Sequence, residues 1–466
     1  MKWLTCFIFA LLPLTASAQP WQAGSARIVI TPDEPIWMAG YGGRDHPAEG
    51  KLTDLWAKSL VLQDASGHTA VLITLDLVGI HRDTTTKICE QIGKKHNLSR
   101  DQIAINCSHT HTGPAVGANL GPLHYVQVPE EQKQQLDDYE QQLIEKIVSI
   151  VDSSFESLQP SWLTWGNGRC SVAVNRRDNV QNDVPTLRVQ GKLNGPSDHD
   201  VPVLLVRDAD QKLRTVVFGY ACHATVLGIY QWSGDYPGYA QIEVEERYPE
   251  AIAMFWAGCG ADQNPLPRRT IELAQQYGKR LGTAVAEVVE GFVHPVESSL
   301  QTSYTELDLP LVGVPTVEEV IQTRETTKNK FERGRAEYIL GRLGDAKALD
   351  ETYPYPVASW KIGNDIRMVF LGGEVVVDYA LRLKSTAAGT PEDSPTMIWV
   401  AGYSNDVMAY IPSRRVLNEG GYEGGGSNVY YGIPGLWSEK IENLIAGEVA
   451  KQWATPKPQP AETSSK

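Results

Sequence analysis

The chain has 466 residues, with 42 Lys and Arg against 56 Asp and Glu and a formal net charge of −14. That acidic balance favours solubility and excludes a nucleic-acid backbone as partner, since no basic run offsets it. Six cysteines, one of them in the N-terminal leader, are too few and too scattered for a disulfide framework, and no CxxC pair marks a structural zinc site.

Residues 1–20, MKWLTCFIFALLPLTASAQP, join a lysine at position 2 to an apolar run from Trp3 to Leu14 and the small-residue pattern Ala16-Ser17-Ala18. This predicts a signal peptide over residues 1–18, and hence a secreted or periplasmic protein. The apolar run is short for a membrane span, and no later apolar stretch is long enough. One large unit is expected over residues 19–454, followed by a Pro/Ser/Glu/Lys-rich tail at 455–466 whose composition predicts disorder.

ARIVIT, KSLVLQD and TAVLITLDLVGI read as strands by length and β-branched content, and DTTTKICEQIGKKHN, residues 83–97, has helical spacing. QIAINCSHTH is another short apolar run. Between residues 129 and 154, Leu136, Tyr139, Leu143, Ile147 and Val151 fall on one helical face, which predicts a surface helix packed on a sheet. SWLTWGNG, TLRVQGKL, VPVLLVRD and LRTVVFGYACHA read as strands, as does AIAMFWAG, which stops at the turn-rich GCGADQNPLP before a helix over 270–291. Residues 316–349 are charged and helical, a lid or a bracing arm. RMVFLGGEVVVDYA and TMIWVAGYSNDVMAYIP are strand-like, a Gly-rich loop NEGGYEGGGSNVYYG follows, and LWSEKIENLIAGEVAKQW carries a last helix. The succession predicts an α/β fold of mixed β-sheets flanked by helices, with two sheets rather than one simple parallel sheet.

Of ten histidines, His109, His111 and His223 each follow an apolar run and stand among small residues. Alone, the HxH of SHTH fits strand-end residues bonded to backbone as well as it fits chemistry. Its spacing does allow both imidazoles to face one cavity, because residues i and i+2 of a strand share a side. Glu374, between Gly373 and a run of valines, is costly to bury unless paired, protonated or bound to a cation. Asp76 and Asp235 stand where they could accept a proton from a ligating imidazole, or simply cap loops.

SHTHTGPA, NRRD, ACHATVLG, GGEVVVDY, NDVMAYIPS and GYEGGGS occur in an order that resembles the neutral ceramidase family, and ARIVITPDEPIWMAGYGG resembles its opening segment. The similarity spans roughly residues 24–436, within a ceramidase-like catalytic domain at 19–454; the C-terminal immunoglobulin-like domain of larger members has no counterpart in this sequence. The resemblance implies an amidohydrolase with one Zn2+ assembled from distant loops, and carries metal ligation onto His109, His223, Glu374 and Tyr410. It makes His111 a contact to the reacting carbonyl or an acid for the leaving amine. Arg176, with Arg177 as its rival, falls near the scissile carbonyl, and Tyr422 and Gly40 at substrate contacts.

Where the family carries a serine in a GDVSPN-like motif, this chain reads GCGADQNP. That leaves Asp262 as a catalytic candidate, Gln263 as a substrate contact, and Cys259 as either a nucleophile or a small buried residue. Loops rich in Asp, Asn, Gln, Arg and Trp suit a small-molecule substrate more polar than ceramide. The implied reaction is hydrolysis of a ceramide-like N-acyl or more polar amide by zinc-activated water. The alternatives are an ester or glycosidic bond cut on the same scaffold, or a non-catalytic binding protein.

Overall fold

The computed structural model describes residues 21–387 and 397–454; the signal-peptide and tail predictions fall outside them. The apolar runs become strands that build two sheets. The larger takes β1 (Trp21–Val29), β2 (Trp56–Gln63), β3 (Thr69–Leu75), β4 (Ile103–Cys107), β5 (Gln159–Arg169), β6 (Asp200–Asp208), β7 (Leu213–Tyr220) and β8 (Ile252–Ala257) in the order β8-β7-β6-β5-β1-β2-β3-β4, with His294–Pro295 added beside β5. Its interior pairs are antiparallel, whereas β3–β4 at one edge and β7–β8 at the other are parallel.

The sheet curls until those two edges meet. Asn106 of β4, fully buried, accepts a hydrogen bond from the Ala257 amide of β8 at 2.8 Å and donates to the Gly402 carbonyl at 2.7 Å. The C-terminal ends of β3, β4, β7 and β8 therefore open onto one place, where an α/β sheet with parallel strands gathers its loops.

The smaller sheet is a long antiparallel pair, β9 (Leu300–Val312) and β10 (Thr352–Ile362), continued by β11 (Ile366–Leu371) and, in parallel, β12 (Met397–Ala401), with Leu436–Trp437 on the outer edge of β9. The sheets pack face to face through Trp21, Trp165, Trp256, Trp360, Trp399 and Phe370. Truncating one such buried aromatic to alanine costs about 3–5 kcal/mol.

Helices cover the other face of the larger sheet. α1 (Arg82–His96) and α2 (Glu130–Glu156) stand close to the predicted bounds, and α2 buries the five residues read from its sequence. α3 (Asp235–Arg247) was not anticipated; it packs on α4 (Ile271–Glu290). The charged 316–349 segment forms α5 (Val317–Thr326) and α6 (Lys330–Leu343) between β9 and β10. It braces the fold: Arg335 donates to the Ile433 carbonyl at 3.0 Å, and Arg342 pairs with Asp83 at 2.8 Å.

Two strand assignments are corrected. TLRVQGKL is not a strand: Val184–Val189 is a short helix whose Pro185 sits in the first turn, where a missing N–H leaves no bond unmade. GGEVVVDYA does not run on as a strand either. β11 stops at Leu371, Gly373 turns the chain with φ +72°, and Glu374–Val375 pairs in parallel with Tyr410–Ile411. α7 (Val377–Ala387) begins two residues later, and α8 (Ile441–Trp453) closes the described chain. Cys89, Cys107, Cys170, Cys222 and Cys259 are all buried and free.

Candidate metal and active site

The histidines of the cluster follow the ends of buried strands. Two residues past β4, His109 adopts a left-handed φ of +62°, which swings its ring back into the molecule. His223 stands three residues past β7. Glu374 and Tyr410 reach the same point through the short parallel pair that joins their backbones. His109, His111 and His223 offer ring nitrogens within 4.8 Å of one another, an arrangement able to hold a metal ion.

The proton positions follow from the partners. Nδ1 of His109 donates to the Val78 carbonyl at 2.6 Å, and Nδ1 of His223 donates to the Gly260 carbonyl at 2.8 Å. A carbonyl can only accept, so both Nδ1 atoms carry hydrogen and both Nε2 atoms present lone pairs. Those lone pairs point at one carboxylate oxygen, Glu374 Oε2, 3.2 Å from His109 and 3.1 Å from His223. Oε2 is buried and has no hydrogen-bond partner, whereas Oε1 accepts the hydroxyl of Tyr431. Burial, and then the positive charge of Arg176, pulls His223 down to about 4, so it is neutral near pH 7. Burial opposes charge on Glu374, and what holds its carboxyl well below the usual carboxylate range is positive charge at the two imidazoles, the charge that a cation between them would supply. An anionic oxygen facing two imidazole lone pairs in a dry site is repulsive unless a cation lies between them.

His111 differs from its neighbours. Its Nε2 is 3.1 Å from Nε2 of His109, but its buried Nδ1 has no partner, so no backbone group fixes its tautomer. The ring lies 4.7 Å from that of Tyr41 and directly on Gly40, where φ is +93° and a Cβ would come within 2.5 Å of it. Gly40 thus serves as the backing of His111, and its amide donates to Nε2 of His124 at 3.0 Å. Buried Arg44 donates to the His111 carbonyl at 2.8 Å and to the carbonyls of Ala39 and Ile229 at 3.2 Å.

Tyr410 places its hydroxyl 3.2 Å from His223 Nε2 and accepts from Arg176 Nη2 at 3.1 Å. Arg176 also donates through Nε to Glu423 at 2.7 Å, and Arg177 binds the other Glu423 oxygen at 2.6 Å. Of the two arginines, then, Arg176 faces the cluster and Arg177 faces away, toward Glu419 and Glu423. Tyr422 is half-exposed, with its ring 5.2 Å from that of Tyr410 and 5.8 Å from the Arg176 guanidinium.

The GCGADQNP loop holds the site from behind. Gln263 is fully buried; its amide donates to the Ala221 carbonyl at 2.6 Å and accepts from the Asp198 amide at 3.1 Å, while its backbone carbonyl receives the His223 amide. Asp262 accepts from the Val377 amide at 2.9 Å and from Asn175 at 3.2 Å, and its carbonyl receives the Arg176 amide at 2.8 Å. Burial raises its carboxyl to about 6. Cys259 is inaccessible, and burial pushes its thiol far above the ordinary range.

Asp76 and Asp235 do not stand behind the imidazoles. Asp76 accepts from the Trp56 amide and Gln241, and Asp235 from the Leu227 and Tyr236 amides. Backbone carbonyls orient His109 and His223 instead. Sequence reasoning also passed over Tyr403, whose hydroxyl lies 3.4 Å from Nδ1 of His223, and Tyr431, His124 and Arg44; only the NVYY that ends the Gly-rich loop and the GYGGR that begins at Gly40 could have drawn attention to Tyr431 and Arg44.

A sequence profile described as neutral/alkaline non-lysosomal ceramidase, N-terminal, matches residues 21–262, more than half of the chain. The chain belongs to this ceramidase family. Within the matched segment lie His109, His111, Arg176 and His223; Glu374 and Tyr410 lie beyond it. Among solved structures, the crystal structure of neutral ceramidase from Pseudomonas aeruginosa is similar to 93% of this chain and 74% of its own, with a TM-score of 0.71 and 18% identity. A ceramidase described as complexed with C2 matches 93% of this chain and 75% of its own, with a TM-score of 0.69 and 17% identity. At such identities the likeness is one of fold. Membership of the ceramidase family makes the protein a hydrolase of the ceramidase type, with a histidine cluster suited to a metal. No helix among the described residues is long and apolar enough to cross a membrane.

Proposed function

We propose that the protein is an exported, zinc-dependent amidohydrolase that cleaves the amide of an N-acyl substrate with water. The observation that carries this reading is the convergence of two Nε2 lone pairs and the unpartnered Glu374 Oε2, with both Nδ1 protons already spent on carbonyls. Two neutral imidazoles, a carboxylate and a phenol oxygen are a donor set that zinc accepts, and His109, His223, Glu374 and Tyr410 would hold it. When bound, zinc supplies a Lewis acid that polarises the scissile carbonyl and brings the pKa of water to about 7. Export rests on the leader at residues 1–18.

Arg176 remains cationic, because burial opposes its charge but Tyr410 and Glu423 outweigh it. Its guanidinium, 3.1 Å from the Tyr410 oxygen, supplies fixed positive charge where the tetrahedral oxyanion would form. His111, whose tautomer no backbone group fixes, moves the proton: the C–N bond breaks, the water oxygen stays on the acyl carbon, and the proton that water gives up passes to the departing amine. Gly40 and Tyr41 keep the imidazole in place during that transfer. Asp262 and Gln263 act on this site by holding the backbones of Arg176 and His223.

The test is metal analysis of the purified mature protein alongside His109→Ala and Glu374→Ala, with hydrolysis assays on ceramides, short N-acyl amines, N-acyl amino acids and glycosides. One zinc per chain, lost in both variants, together with amide hydrolysis, is the expected result. Unchanged metal content would remove the site assignment, and cleavage of glycosides alone would remove the amidase reading.

A further inference from the structure

Beside the cluster, a cavity of about 570 Å³ runs from Arg176 and Tyr422 to Arg268. Its wall is polar: Arg177, Gln181 and Asn264 contribute, and Val180, Leu266 and Tyr422 are the main apolar contacts. Burying a methylene contributes about 0.8 kcal/mol only where apolar surface receives it, and this wall offers little to a long hydrocarbon chain.

The cations of the wall are unequally neutralised. Arg176 and Arg177 share Glu423, and Arg177 also binds Glu419. Arg268 is partly buried and spends only Nε, on the neutral amide oxygen of Gln181 at 3.0 Å. Among the described residues no carboxylate oxygen lies within ion-pair distance of it, although the exposed Asp178 contributes to the same wall. Its neighbour Arg269 is also without a carboxylate partner; it donates to the Tyr41 hydroxyl at 2.8 Å and lies over that ring. Arg269 holds a φ of +94°, a conformation that costs a non-glycine residue energy. Burial and the charge of Arg269 both work against the charge on Arg268. In a chain with 14 excess negative charges, a guanidinium without a carboxylate partner on the cavity wall, with a second one next to it in the chain, is conspicuous.

We infer that Arg268 is a specificity residue that binds a carboxylate on the substrate, so that the preferred amides are acids such as N-acyl amino acids or monoamides of dicarboxylic acids. Its two free Nη groups form the planar fork that receives a carboxylate through paired hydrogen bonds. This inference rests on the amidohydrolase reading above, which makes the neighbouring cluster the reacting centre.

The test compares acid and neutral partners of equal size: N-hexanoylglycine against N-hexanoylglycinamide, and a succinic acid monoamide against its diamide. Metal-loaded wild type and Arg268→Gln are assayed, and equilibrium binding of each compound is measured by calorimetry on the same proteins. Wild type should favour the acid of at least one pair by about ten- to a hundredfold in kcat/KM and in affinity, the effect of hydrogen bonds to a charged group. In Arg268→Gln the ratio should fall to near one, and Arg268→Lys should restore only part of it. Equal handling of acid and neutral forms by wild type, or a preference that survives Arg268→Gln, overturns the inference. If no amide is cleaved but the Arg268-dependent binding preference persists, the amidohydrolase reading fails and the carboxylate site stands.

Discussion

Nε2 of His223 and Oε2 of Glu374 lie 3.1 Å apart, and the imidazole proton is on the far nitrogen, donated to Gly260. The metal-free protein therefore holds a buried anion against two lone pairs, relieved by hydrogen bonding only at Oε1, where Tyr431 donates. Glu374→Gln should lower metal content sharply yet raise the melting temperature of the metal-free protein, by the equivalent of about 1–3 kcal/mol, since a buried charge without a counter-ion is removed. Chelated wild type and variant compared by calorimetry provide the measurement. A metal-free Glu374→Gln less stable than metal-free wild type would mean that the carboxylate is held by a proton rather than by a cation.

The parts of this site that were legible in the sequence are those where one residue carries the signal. His109 and His223 end apolar runs, and Glu374 is a charge against a run of valines. Tyr431 and Tyr403 were not legible, because each matters only through a partner 57 or 180 positions away. The smaller sheet shows the same limit. β9, QTSYTELDLP within Leu300–Val312, is largely half-exposed and polar, and the chain leaves for two helices before β10 returns to pair with it. In the larger sheet β2, β3, β4, β6, β7 and β8 are nearly all buried, and their composition says so without a partner.

His124 couples the site to pH. Its Nε2 accepts the Gly40 amide at 3.0 Å, and burial, reinforced by the charge of Arg44, pulls it from 6.5 to about 3. The folded state thus refuses a proton that the unfolded state binds. The contribution is complete above pH 6.5, declines as pH falls between 6.5 and about 3, and is flat below that. Asp235 and Asp262, raised to about 6 by burial, act in the opposite sense between 6 and their ordinary value of 3.8. The measurable quantity is accordingly the difference between wild type and His124→Gln in unfolding free energy. It should narrow in favour of the variant by up to about 1.4 kcal/mol per pH unit as pH drops from 6 to 4.

Gly40→Ala separates two roles for His111. A Cβ at position 40 would meet the imidazole at 2.5 Å, and a φ of +93° strains any other residue. The protein should lose about 1–3 kcal/mol of stability and the His111 ring should shift. If His111 transfers protons, kcat falls while zinc content holds. Zinc content that falls together with kcat would instead make His111 a ligand.

Gln263, which the resemblance made a substrate contact, has both ends of its amide engaged by backbone groups, the Ala221 carbonyl and the Asp198 amide. Fully buried and so occupied, the side chain exposes no atom to a substrate. Gln263→Leu would leave two buried backbone groups unpaired and should cost about 2–6 kcal/mol, since each such group costs about 1–3 kcal/mol. Gln263→Glu retains the acceptor for the Asp198 amide but loses the donor to Ala221, and should fall between the two. Because the Gln263 carbonyl also receives the His223 amide, loosening this loop lowers metal affinity before it changes substrate binding. Denaturation midpoints, zinc titration and KM measured on the three proteins check the order. A rise in KM without loss of stability or metal would return Gln263 to the substrate.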